Sequence, residues 1–208
     1  MEPYKVPAGV GAAEFTEKKS RFIGRLFPVE AEEAAIERLK SLRKQHWDAS
    51  HNVWAYILHA GAVRFSDDGE PQGTAGMPAL EVLRREELSD VLCVVTRYFG
   101  GTLLGAGGLT RAYARAAKMA VDAAGIAEML PYAHLQLVCP YDLLEPVRRA
   151  LPMLDAEESG TEYGEQVVLE VLLPSAEQTR FETQMADLTS GRLKPVYLGE
   201  KMFAKRLR

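Results

Sequence analysis

The chain of 208 residues is 47% hydrophobic and 26% charged, the balance of a folded globular protein, and its length suits one large or two ordinary domains. A net charge of −4 excludes wholesale coating of nucleic acid and leaves room for a local basic patch on an acidic body. The two cysteines, Cys93 and Cys139, lie in apolar runs with no partner at C-x-x-C spacing, which excludes a disulfide scaffold and gives no support to a zinc or redox pair.

The first ten residues, MEPYKVPAGV, lack the apolar core of a signal peptide, and no run approaches the roughly 18 apolar residues of a membrane helix. The expectation is a cytoplasmic protein with no membrane segment. Residues 1–9 carry two prolines and a glycine and read as a loose arm. Glu14 to Val29 contains two extended pieces around the charged cluster Glu17 to Arg21, the pattern of a hairpin. Ala35, Leu39 and Leu42 then recur at helical spacing behind Glu30, Glu32 and Glu33, which predicts a helix over Glu30 to His46.

Asn52 to Ala60 and Val63 to Phe65 read as strands joined at Gly61. The segment Ser66 to Pro78 holds three glycines and two prolines and is expected to be a loop. A helix from Pro78 to Leu88 and a fully apolar strand from Asp90 to Tyr98 follow. A glycine-rich turn then leads into a helix over Gly108 to Ala124, with Gly125 as its C-cap.

Pro131 reads as a linker. Beyond it come a strand (Tyr132 to Cys139), a short helix (Asp142 to Ala150), two strands (Leu154 to Gly160 and Glu165 to Leu173), a helix (Ser175 to Thr189, with Ser175 as cap) and a strand (Leu193 to Gly199). This βαββαβ order is that of a ferredoxin-like domain. The expected class is α+β, with domains over 1–129 and 130–208. Nine acids and one base between Asp155 and Asp187, against six bases and one acid from Arg192 onward, read as solvated faces.

Five of the nine residues from Gly100 to Gly108 are glycine. A strand, a glycine-rich turn and a helix in that order let backbone N–H groups approach another molecule closely, which is the chemistry of an anion site. Arg111 and Arg115 share one face of the helix, with Lys118 beyond them. Cations there oppose the helix dipole, so an anion between them would resolve the conflict. The competing reading is that the glycines only let an alanine-rich helix settle on a sheet, and neither G-x-G-x-x-G nor the Walker pattern is present.

Asp67, Asp68 and Glu70 put three carboxylates within four residues, with His51 near them if the strands pair, and such hard oxygen ligands suit Mg2+. An Asp-Asp-Gly turn is the competing reading. Thr74 offers a hydroxyl and neighbouring amides to an anion. It has no adjacent base and does not read as a nucleophile. Trp47, Trp54, Tyr98 and Phe99 are candidates for stacking on a base. His46, His59 and His134 read as structural.

Four stretches are specific as a set: KKSRFIG (Lys18 to Gly24), HNVWAY (His51 to Tyr56), FSDDGEPQGTAGMPAL (Phe65 to Leu80) and VVTRYFGGTLLGAGGLTRAY (Val94 to Tyr113). Their order and spacing closely resemble the YigZ/IMPACT family. The resemblance implies a first domain like domain IV of elongation factor G and a ferredoxin-like second domain like domain V of that factor. It further implies a shared cleft lined by His51, Asp67, Asp68, Glu70, Thr74, Arg97, Gly100, Gly101, Gly107, Gly108 and Arg111. Eukaryotic members are regarded as translational regulators.

The expected function is therefore a non-enzymatic binding or regulatory protein, linked to translation through RNA or a ribosome-associated protein, with no required cofactor. The alternative is a Mg2+-dependent enzyme acting on a phosphorylated small molecule or nucleotide. No catalytic residue is assigned, and the sequence leaves the oligomeric state open.

Overall fold

The computed structural model describes residues 2–207. The chain divides into two compact units, Tyr4–Glu128 joined by the C-terminal residues from Ala204, and Met129–Phe203 joined by the N-terminal residues up to Pro3. The class is α+β, as the alternation of periods in the sequence led us to expect.

In the N-terminal unit the elements are β1 (Tyr4–Pro7), β2 (Gly11–Glu17), β3 (Ser20–Pro28), α1 (Glu32–Gln45), β4 (His51–Ile57), β5 (Val63–Ser66), α2 (Gly76–Arg85), β6 (Val91–Tyr98) and α3 (Ala106–Ala124). The central sheet has the order β2-β3-β6-β4-β5, and every pair in it is antiparallel. Strand β6 is apolar from Val91 to Val95, before Thr96 and Arg97, because the sheet is covered on both faces. Val91, Cys93 and Val95 pack with α2 and α3, whereas Leu92 and Val94 pack with Ala35, Leu39 and Leu42 of α1, as period-2 alternation requires.

Two strand glycines fix how closely α3 lies on this sheet. A Cβ at Gly24 would overlap the Ala116 carbonyl, and one at Gly11 would overlap the Ala120 carbonyl. The glycines that let the alanine-rich helix settle are thus in β2 and β3, on the far side of the contact from the glycine-rich turn. Helix α3 ends at Gly125, with φ of 73°, as expected of a C-cap glycine. Its carbonyl accepts the Ala8 N–H at 3.1 Å, and the Ile126 carbonyl accepts the Leu207 N–H at 2.8 Å.

The C-terminal unit is built from β7 (Ile126–Cys139) from Met129 onward, α4 (Tyr141–Ala150), β8 (Glu157–Tyr163), β9 (Val167–Pro174), α5 (Gln178–Thr189) and β10 (Val196–Arg206) up to Phe203. Strand β9 pairs with both β7 and β8, β1 and β10 each pair with β7, and β10-β7-β9-β8 is the order of a βαββαβ fold. Here the helices lie on one face of the sheet. Ala133, Leu135, Leu137 and Cys139 of β7 pack against Val147 of α4 and Phe181 and Met185 of α5.

Three local expectations fail. Residues 1–9 are not a loose arm, because Tyr4–Pro7 form β1 and the Lys5 carbonyl accepts the Ser89 N–H at 2.8 Å. Pro131 is not in a linker but within β7; the ladder to β9 begins at Tyr132, so that ladder loses nothing to the missing proline N–H. Ser175 does not cap α5, because residues 175–177 form a 3-10 turn and the Ser175 hydroxyl donates to Glu200 at 2.7 Å. No helix among the described residues is long and apolar enough to cross a membrane.

Candidate functional site

The loop between β5 and α2 is held by its own acids. Asp67 accepts the N–H groups of Gly73 (2.8 Å), Ala75 (3.1 Å) and Gly76 (2.8 Å), so its carboxylate meets the positive end of α2. Asp68 takes the Asn52 N–H at 2.6 Å and the Arg43 guanidinium at 2.6 Å. Glu70 is 8% exposed and accepts from Arg97 at 2.5 Å and from the Tyr113 hydroxyl at 2.6 Å. Burial and the Glu70 carboxylate push the Tyr113 phenol far up, so it remains a donor.

The three carboxylates grouped in sequence are therefore turned to three different sets of partners. Among the described residues, no group of three His, Cys, Asp or Glu side chains is placed to hold a metal ion. Thr74 donates its hydroxyl to the Pro71 carbonyl at 2.6 Å, a bond within the loop. His51 Nδ1 lies 2.8 Å from the Asp68 carbonyl, which can only accept, so Nδ1 carries the proton. Its Nε2 is 3.8 Å from Glu70 Oε1.

Arg97 is 5% exposed. Besides Glu70 it reaches the Ser20 hydroxyl at 3.3 Å and lies over the rings of Phe22 and Phe99, each centroid 5.4 Å away. Its Nε is buried with no acceptor among the described residues. The glycines of the turn divide similarly. The Gly100 N–H donates to Ser20 Oγ at 3.2 Å, and a Cβ on Gly100 would strike the backbone of Lys19, so this glycine joins the turn to the β2–β3 hairpin. Gly101 has φ of 81° and open space where a side chain would be, and Gly107 and Gly108 sit in the first turn of α3. Gly105 precedes that helix, and among the described residues no side-chain bond caps it.

Arg111 and Arg115 face a groove of about 290 Å3 with Phe15, Lys18, Leu104 and Gly108, and Glu17 is its one acid. Arg115 stacks on Phe15 at 4.3 Å. Lys118, which the sequence spacing grouped with them, instead pairs with Glu86 at 3.3 Å and with Asp122. Sequence reasoning missed Lys18 as its replacement. The doubled lysine of KKSR was visible, but its approach to α3 depends on the antiparallel register that pairs Glu17 with Ser20.

Across the first turn of α3 lies a second cavity of about 400 Å3, lined by Phe99, Leu103, Leu104 and Leu109 together with His51, Glu70 and Arg97. Of the aromatic candidates, only Phe99 reaches it. Trp54 stacks on Tyr56 at 5.6 Å, Tyr98 donates to Asp48 at 3.2 Å, and Trp47 is exposed elsewhere. His46 belongs to that second network, with Arg25 2.8 Å from Nε2 and the Tyr98 hydroxyl 2.9 Å from Nδ1. Burial, then the Arg25 charge, lowers its pKa and keeps it neutral.

The fold defines a two-unit α+β protein in which a glycine-rich turn and clustered cations surround the start of one long helix. Residues 18–121 match the Impact N-terminal domain, and residues 137–192 match a domain of unknown function, DUF1949. The chain belongs to the IMPACT family. It is 38% identical to IMPACT family member YvyE of Bacillus subtilis, over 92% of this chain and 89% of that protein. It is 35% identical to IMPACT family member YigZ of Escherichia coli, over 96% and 100%. The Protein IMPACT homolog of Dictyostelium discoideum shares 37% identity over 48% of this chain, which is 30% of that longer protein. A crystal structure of an hypothetical protein, 35% identical, superposes with a TM-score of 0.61 over 97% of this chain and 100% of the other.

Proposed function

We propose that the N-terminal unit is a phosphate-binding module that engages single-stranded RNA of the translation machinery, in a regulatory rather than a catalytic role. The observation that carries this reading is the groove beside α3. Lys18, Arg111 and Arg115 gather there against one acid, and none of the three makes an ion pair among the described residues. In a protein of net charge −4, such a concentration of one sign is a local site and not a general property of the surface.

Backbone strain at the rim supports the same reading. Lys18 and Lys19 have φ of 45° and 67°, the left-handed pair of a tight hairpin turn for which Asn-Gly is the relaxed choice. Backbone strain at Lys18, which lines the groove, and at its neighbour Lys19 is the arrangement that favours function over local stability. The translational setting rests on this chain's resemblance to eukaryotic members regarded as translational regulators and is an analogy at the level of the family.

The test is fluorescence anisotropy with a 12-nucleotide single-stranded RNA across a salt series. Three phosphate contacts to a single strand predict log K falling with log salt at a slope of roughly −2. The Arg111→Ala/Arg115→Ala protein is expected to bind more weakly, with a flatter slope. Salt-independent binding, or an unchanged slope in the double variant, would overturn the reading.

A further inference from the structure

The second cavity has a composition the cationic groove does not explain. Its mouth carries Phe99, 47% exposed, and Leu103, 81% exposed, large apolar side chains left uncovered by the rest of the unit. Its floor is polar: His51, Glu70 and Arg97 line it, and His51 Nε2 is the ring nitrogen not engaged by the Asp68 carbonyl, 3.8 Å from Glu70 Oε1. An occupant would need flat apolar faces, and an edge able both to donate to an imidazole nitrogen and to accept from a guanidinium. The volume, about 400 Å3, lies within the roughly 300–1,000 Å3 of small-ligand sites.

The two hollows are neighbours. Leu104 lines both, and only the first turn of α3, from Gly105 to Gly108, separates them. A molecule held across that turn would place an anionic part among Lys18, Arg111 and Arg115 and a flat polar-edged part against Phe99 and Leu103. A nucleotide has that division, with its phosphate joined through a sugar to a base. We propose that the Phe99–Leu103 cavity receives one unstacked base of the nucleotide whose phosphate the cationic groove holds. This inference rests on the groove being a phosphate site, and it assigns that site a base pocket. Stacking on Phe99 makes it tolerant of base identity, whereas His51 and Arg97 favour a base presenting both a donor and an acceptor on one edge.

The experiment uses the full chain with three probes: the 12-nucleotide RNA, nucleoside 5′-monophosphates, and inorganic polyphosphate, which has phosphates and no bases. The variants are Phe99→Ala and Leu103→Ala, both at exposed positions, with thermal midpoints recorded alongside. Each is expected to weaken RNA binding by about 5- to 100-fold, the range for losing one stacked base, with the salt slope unchanged and polyphosphate affinity unaltered. Competition by monophosphates would identify free nucleotides as a source of the base; binding of RNA alone would identify a strand. If the parent binds RNA with the expected slope and both variants bind it equally well, the base pocket is overturned and the groove stands. If polyphosphate binds as tightly as RNA, the base pocket is likewise overturned. Absence of binding by every probe removes both readings.

Discussion

Helices α2 and α3 both follow glycine-containing segments, and their first turns meet opposite surroundings. At α2 the Asp67 carboxylate gathers the amides of Gly73, Ala75 and Gly76, so the helix dipole is answered from within the chain. At α3 no side chain among the described residues caps the start, and the charged groups nearest its first turns include Lys18, Arg111 and Arg115, which share the sign of the dipole's end. A glycine loop closed by the fold and one left open to a ligand look alike in sequence. They are told apart by where the nearest carboxylate goes.

The sharpest way to test that comparison is to remove the residue that ties the two helices together. Glu70 belongs to the α2 loop, yet it accepts from Tyr113 of α3 and balances Arg97. Glu70→Ala leaves a buried guanidinium without its counter-charge and should cost about 3–5 kcal/mol in urea unfolding. A loss below about 1 kcal/mol would mean that Arg97 is balanced by another group. Next comes Gly24→Ala, whose new methyl meets the Ala116 carbonyl. It should lower stability by about 3 kcal/mol, the upper end of overpacking, and a neutral result would refute the close seat of α3.

The two helix starts can then be compared directly. Asp67→Ala should destabilise by about 2 kcal/mol, as for loss of a strong cap. The reciprocal change at α3, Ala106→Glu, supplies the carboxylate that helix lacks. It should stabilise by about 0.5 kcal/mol while weakening RNA binding, because the introduced charge competes with phosphate. Tighter binding by Ala106→Glu would contradict an anion site. The smallest effect belongs to Arg111→Ala, expected within about 0.5 kcal/mol of the parent in stability; a loss of more than about 2 kcal/mol would make Arg111 structural.

Legibility followed the range of the contacts. Helix α1 was readable because Ala35, Leu39 and Leu42 repeat within one helix, and β6 because an unbroken apolar run is local. The order of elements beyond β7 was readable for the same reason. Asp67 was grouped with Asp68 and Glu70 as a ligand set because they adjoin in sequence, whereas its partners lie six to nine residues ahead and are met only when the loop doubles back. Gly11 and Gly24 gave no signal at all, since their need for a missing side chain arises from a helix about 90 to 110 residues away. Lys18 joins Arg111 and Arg115 through β-sheet register, which a charge count cannot express.

Cys93, closed in between the sheet and α2, also has a practical consequence. Burial pushes its thiol up to about 12 and raises that of Cys139 as well, so at neutral pH neither offers the thiolate that maleimides attack. A single cysteine introduced by Leu103→Cys, at the mouth of the cavity, would then take a dye selectively in the folded protein. Fluorophores can report on that mouth directly, with both native cysteines left in place.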